Sequence, residues 1–112
     1  MKRIEAYIQP FMLARVMHGL RDAHAHGLTV MDVRGFGREK DESYPHHASE
    51  YAVDFTPKVK LEILCRDDEV DHLVAIVLDG AHTGRRGDGK VFVTHLERVV
   101  SILTRESDNE AI

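Results

Sequence analysis

Thr83-Gly84-Arg85-Arg86-Gly87-Asp88-Gly89-Lys90 packs three glycines, two arginines and a lysine into eight residues. Glycines permit positive φ and let backbone amides approach a ligand closely. Clustered amides and cations are what a phosphate group needs. Arg34-Gly35-Phe36-Gly37-Arg38 has the same chemistry, so the pair suggests a nucleotide-binding protein. Gly84 to Lys90 satisfies the letter of a G-x-x-x-x-G-K phosphate loop, but Val91 stands where a magnesium-binding Ser or Thr belongs. A strand pattern follows where a helix belongs, so a Walker-type ATPase is not expected. An ordinary turn would need fewer glycines and no flanking cations.

Other reactive residues form weaker groups. Of eight histidines, His18, His24 and His26 fall in the first helical pattern, and His46-His47 stand together in a polar segment. That last pair is a candidate transition-metal site, although no third ligand at metal-site spacing accompanies it. Cys65 falls on the buried face of a strand pattern and reads as structural. No nucleophile–base pairing stands out, so the expectation is a binding protein and not an enzyme.

These residues are positioned by a simple alternation of elements. Ile4, Ala6 and Ile8 alternate with polar neighbours, a strand that Pro10 closes. Leu13, Val16, Met17 and Leu20 fall on one helical face, with Gly27 as the expected stop. Leu28 to Val33 has no clean period and reads as a strand buried on both sides, ending at Gly35. A long polar loop follows at about 38–52, the kind that is functional or mobile in small domains. Val59, Leu61, Ile63 and Cys65 mark a third strand. Asp67-Asp68-Glu69 supplies a cap for a helix with the stripe Val70, Leu73, Val74, Val77, Leu78 and Ala81. Lys90 to Leu96 is the last strand, and a polar tail occupies about 101–112. The order β-α-β-β-α-β predicts one α+β domain over 1–112, a ferredoxin-like sheet with both helices on one face. The uncovered face calls for an oligomer.

Composition narrows the partners. A net charge of −4 disfavours bulk nucleic-acid or anionic-membrane binding. The third strand lacks the stacking aromatics of an RNA-recognition domain. No apolar run is long enough to span a membrane, the basic N-terminus leads into strand alternation and not a signal-peptide core, and a single cysteine suits a reducing cytoplasm.

The chain resembles the PII signal-transduction family over nearly its whole length. The resemblance rests on Met1-Lys2-Arg3-Ile4-Glu5-Ala6 with Gln9-Pro10-Phe11, on Val33 to Arg38, on Val53-Asp54-Phe55 with Pro57 to Glu62, and on Thr83-Gly84 with Gly87 to Val93. It implies a non-enzymatic, cytoplasmic homotrimer that senses adenine nucleotides (ADP, ATP or AMP) in clefts between subunits. Its long T-loop, about 38–52, would control the cytoplasmic face of a membrane transporter or a cytoplasmic enzyme. The matching nucleotide positions are Thr29, Gly37, Arg38, Leu64, Gly87, Asp88, Gly89 and Lys90, with Thr83 nearby and Gly35 and Phe36 shaping the cleft. Lys58 matches the family's 2-oxoglutarate lysine, and Glu39 replaces the glutamine that helps magnesium hold that ligand. Glu39 could still ligate magnesium but would repel the dianion. Ser101 and Leu103 stand where arginines grip the outer phosphates. Tyr51 and Ser49 occupy positions that some members modify. These departures suggest a divergent subgroup. The alternative reading is a metal-homeostasis protein using His46 and His47, or a regulator of metal efflux or inorganic-carbon uptake.

Overall fold

The computed structural model describes residues 1–36 and 55–112. Strands β1 (Lys2–Ile8), β2 (Leu28–Gly35), β3 (Thr56–Cys65) and β4 (Lys90–His95) form one antiparallel sheet in the order β2-β3-β1-β4. Helices α1 (Leu13–Asp22) and α2 (Val70–Ala81) complete the expected α+β, ferredoxin-like arrangement.

Strand alternation decides which face is dry. Ile4, Ala6 and Ile8 of β1 and Val59, Leu61, Ile63 and Cys65 of β3 point to the helices and are buried. Val16 and Leu20 of α1 and Leu73 and Val77 of α2 close the core above them. The two helices meet closely: a Cβ on Gly80 would stand 3.0 Å from Val16 Cα and Cγ2, tighter than ordinary packing. The opposite sheet face carries Arg3, Glu5, Tyr7, Lys60 and Glu62.

Four local expectations change. α1 ends at Asp22, well before Gly27: His24 takes a left-handed φ of 55°, its amide bonds Arg21 O at 3.0 Å, and the Ala25 amide bonds Leu20 O at 3.1 Å. This is a Schellman stop with histidine in the usual glycine place, so of the three early histidines only His18 is helical. Among the described residues β2 is an edge strand beside β3, and it has no fully buried side chain, with Val30 41% exposed. Asp67 makes no side-chain cap. It begins a 3₁₀ turn over Asp67–Glu69 and accepts a 2.6 Å bond from the Met1 amino group, which holds its carboxyl below the usual range. Leu78 leaves the helical stripe and is half exposed.

Candidate nucleotide-binding site

The loop between α2 and β4 is built around one carboxylate. Asp88 accepts from the Thr83 amide at 2.8 Å, from the Gly84 amide at 2.9 Å and from the Thr83 hydroxyl. Thr83 Oγ1 in turn accepts from the Arg85 amide at 3.2 Å. Partial burial pushes the Asp88 carboxyl up, but the Thr83 hydroxyl and the Thr83 and Gly84 amides outweigh it and hold the group below the ordinary carboxylate range. Asp88 therefore organises the turn from within. His82 Nδ1 lies 3.8 Å from it on the exposed side.

Closing this turn requires glycine where the backbone turns left-handed. Gly87 and Gly89 have φ of 97° and 102°. Gly89 also lies against β1 so closely that a Cβ there would collide with the Tyr7 carbonyl. The turn delivers Lys90 to the first position of β4, exposed and paired in register with Tyr7. Lys58 reaches the same turn from β3. Its amine is buried and donates to the Gly87 carbonyl.

The residues expected to hold nucleotide gather at three places. A cavity of about 360 Å³ at the β2–β3 edge is lined by His26, Gly27, Leu28, Thr29, Glu62, Leu64, Ala111 and Ile112. Thr29 and Leu64 thus share one cavity, since Thr29 pairs in register with Glu62 and Leu64 lies two residues farther along the same face. A cavity of about 170 Å³ includes Tyr7, Leu78, His82, Asp88, Gly89 and Lys90. A third, about 290 Å³, is lined by Tyr7, Val33, Arg34, Gly35, Phe36, Lys58 and Phe92. The last two share Tyr7, and the Lys58–Gly87 bond ties them together. Thr83 stands beside them through Asp88.

The first cavity lies apart from the other two. It meets β2 at Leu28 and Thr29, whereas the third meets the far end of that strand at Val33, Arg34 and Gly35, about 13 Å on at about 3.3 Å per residue, and the second lies by β4 at the opposite sheet edge. One chain therefore holds two half-sites: an apolar slot with a few polar groups, and a glycine-rich turn with cations. Residue reasoning missed His26, Glu62, Ala111 and Ile112 in the slot and Tyr7 and Phe92 near the turn. Period-two alternation could have found Glu62 from Leu64, and Tyr7 and Phe92 from their strands. Nothing in the tail's composition points to Ala111 and Ile112.

The sheet face between the half-sites is charged and aromatic. Lys60 lies 3.3 Å from Glu5 and 3.2 Å from Glu62, and these bonds, Glu62 first, raise its pKa. Arg3 pairs with Glu5 at 2.8 Å. Tyr7 and Phe92 meet edge to face at 5.9 Å, and Phe92 is 47% exposed.

Gly37, Arg38, Glu39, His46, His47, Ser49 and Tyr51 lie outside the described residues, as does the whole loop at about 38–52. Among the described residues, no group of three or more His, Cys, Asp or Glu side chains is placed to hold a metal ion. No helix among them is long and apolar enough to cross a membrane.

A family model described as nitrogen regulatory protein P-II matches residues 1–106. The nitrogen regulatory protein P-II of Pasteurella multocida (strain Pm70) is 47% identical over 112 residues, the whole of both chains. That of Haemophilus influenzae is 46% identical, and the nitrogen regulatory protein GlnK of Escherichia coli (strain K12) 43% identical, again over the whole of both chains. These similarities do not favour the metal-homeostasis alternative.

Proposed function

Because the chain belongs to the P-II family of nitrogen regulatory proteins, whose members are signalling regulators and not enzymes, we propose that it binds an adenine nucleotide between two copies of itself and reports the bound state to a partner protein. In this reading the base enters the slot of Thr29, Glu62 and Leu64 on one subunit. The phosphates meet Gly87, Asp88, Gly89 and Lys90, with Gly35, Gly37 and Arg38, on the next. The observation that carries the proposal is the separation of the two half-sites, the slot at the start of β2 and the turn beside β4 with the far end of β2. Among the described residues the slot shares no lining residue with the other two cavities, whereas a ring of subunits would bring the slot of one copy to the turn of the next. The aromatic and ion-paired sheet face, which neither α1 nor α2 covers, supports a homotrimer as that ring.

The loop at about 38–52 is the proposed output, docking on a transporter or an enzyme. Nucleotide held at its root would bias its conformers only by as much as it binds them differently. With Ser101 and Leu103 in place of cations, ATP should bind no tighter than ADP. With Glu39, magnesium and 2-oxoglutarate should add little despite Lys58.

Calorimetric titration with ADP, ATP and AMP, alongside light scattering, tests the proposal. Lys90→Ala should weaken ADP about tenfold or more, because a charge-assisted hydrogen bond contributes about 1.5–3 kcal/mol and 1.4 kcal/mol is a decade. A stable monomer at micromolar concentration, or unchanged affinity in Lys90→Ala, would count decisively against it.

A further inference from the structure

The tail that follows β4 doubles back on itself. Val100 bridges Ser107, Ser101 N donates to Glu106 O at 2.9 Å, and Asp108 N donates to Val99 O at 2.7 Å. Arg105 and Asp108 both take left-handed φ, 64° and 62°, to make this reversal. A 3₁₀ turn over Asp108–Ala111 then presents Ala111 and Ile112 to the β2–β3 cavity. Burial follows the same path. Ile102 and Leu103, earlier in the tail, are 99% and 91% exposed, yet Ala111 and Ile112 are half-buried.

The slot consequently has two apolar walls of different origin. Leu28 and Leu64 belong to the sheet, and Ile112 belongs to the tail. Thr29 and Glu62 supply hydroxyl and carboxylate groups at the slot, and His26 is held there by a 3.1 Å contact with Glu69. Two apolar walls with hydrogen-bonding groups between them suit a flat heteroaromatic ring better than a sugar or a phosphate.

We propose that Ile112 is a base-recognition residue, the wall from the tail that packs the purine base against Leu28 and Leu64. The inference rests on the reading of this slot as the base half-site. It adds a contact from the tail end that depends on the base and not on the phosphates.

The test compares the unaltered chain with one stopped after Glu110, with Ile112→Leu and with Ile112→Asp, titrating each with ADP. The shortened chain and Ile112→Asp should lose about tenfold in affinity, corresponding to about 1.4 kcal/mol, while Ile112→Leu stays within about twofold. The natural chain has no tryptophan, so Ile112→Trp places a single fluorophore on the proposed wall. ADP should quench it by stacking, and inorganic pyrophosphate should not. Unchanged ADP affinity in the shortened chain, emission blind to ADP, or equal quenching by pyrophosphate each overturns the inference. Should the shortened chain fail to fold, the tryptophan readout still decides. Failure of the unaltered chain to bind ADP would instead overturn the nucleotide reading itself, and the inference with it.

Discussion

Replacing Asp88 tests whether the phosphate turn is organised by its own acid. Asp88→Ala removes the acceptor of three hydrogen bonds, two from Thr83 and one from Gly84. A hydrogen bond to a charged group contributes about 1.5–3 kcal/mol net. The Thr83 donors are partly buried and lose their partner outright, whereas the exposed Gly84 amide regains water. The expected loss near neutral pH is therefore about 2–4 kcal/mol. Asp88→Asn keeps an amide oxygen for the two backbone donors and loses the charge, so about 1 kcal/mol is expected. The exposed His82 adds little to either figure. The pH dependence follows from the depressed Asp88 pKa. A carboxyl whose folded pKa lies below its unfolded value of about 3.9 stabilises fully above that value and stops stabilising as pH falls through the folded one. Urea unfolding at fixed protein concentration, followed by circular dichroism, should show the full difference between unaltered and Asp88→Ala protein near pH 7 and a smaller one near pH 3. A difference below about 0.5 kcal/mol near neutrality, within the ordinary range of surface substitutions, or one that does not shrink in acid, would refute the assignment.

Two further outcomes follow from the same geometry. Gly89→Ala should destabilise the chain by about 2–4 kcal/mol, since its left-handed φ and the neighbouring Tyr7 carbonyl leave no room for a Cβ; a thermal melt within about 2 °C of the unaltered chain would contradict this. Burial first, then Glu69 and Asp67, pushes the Cys65 thiol up despite the nearby terminal amine, so a thiol reagent at mildly alkaline pH should label it stoichiometrically only in denaturant. Rapid labelling of the folded chain would show that β3 opens or that the thiol is exposed.

Strands and helices were legible where one periodicity dominated. β1 and β3 alternate cleanly because one face packs on helices and the other does not, and α1 and α2 show their stripes for the same reason. The misreadings occurred where a local pattern had more than one physical solution. Leu28 to Val33 is apolar enough for a doubly buried strand, yet its place at the sheet edge leaves Val30 and Thr29 exposed. That exposure is useful, because an edge strand can line a cleft. Gly27 was the obvious helix stop, but His24 pays the modest left-handed cost earlier, since Leu20 and Arg21 present their carbonyls there. Releasing the chain at Asp22 puts His26 and Gly27 in the mouth of the slot instead of on a helix.

The glycine-rich turn at 83–90 was legible because φ constraints are written directly in residue type, and Gly84, Gly87 and Gly89 all take positive φ. Asp88 shows the limit of that reading. The family resemblance sets it among the ligand contacts, yet its carboxylate is spent on Thr83 and Gly84. An anion facing incoming phosphates would oppose them, so turning it inward converts a repulsive charge into the fastener of the turn. The same distinction separates the two half-sites. The glycine-rich turn is contiguous in sequence, and its chemistry can be read along the chain. The β2–β3 slot is assembled from residues 26–29, 62, 64 and 111–112 by strand register and a tail reversal. Its walls are ordinary leucine, alanine and isoleucine, which acquire meaning only from what the fold sets beside them.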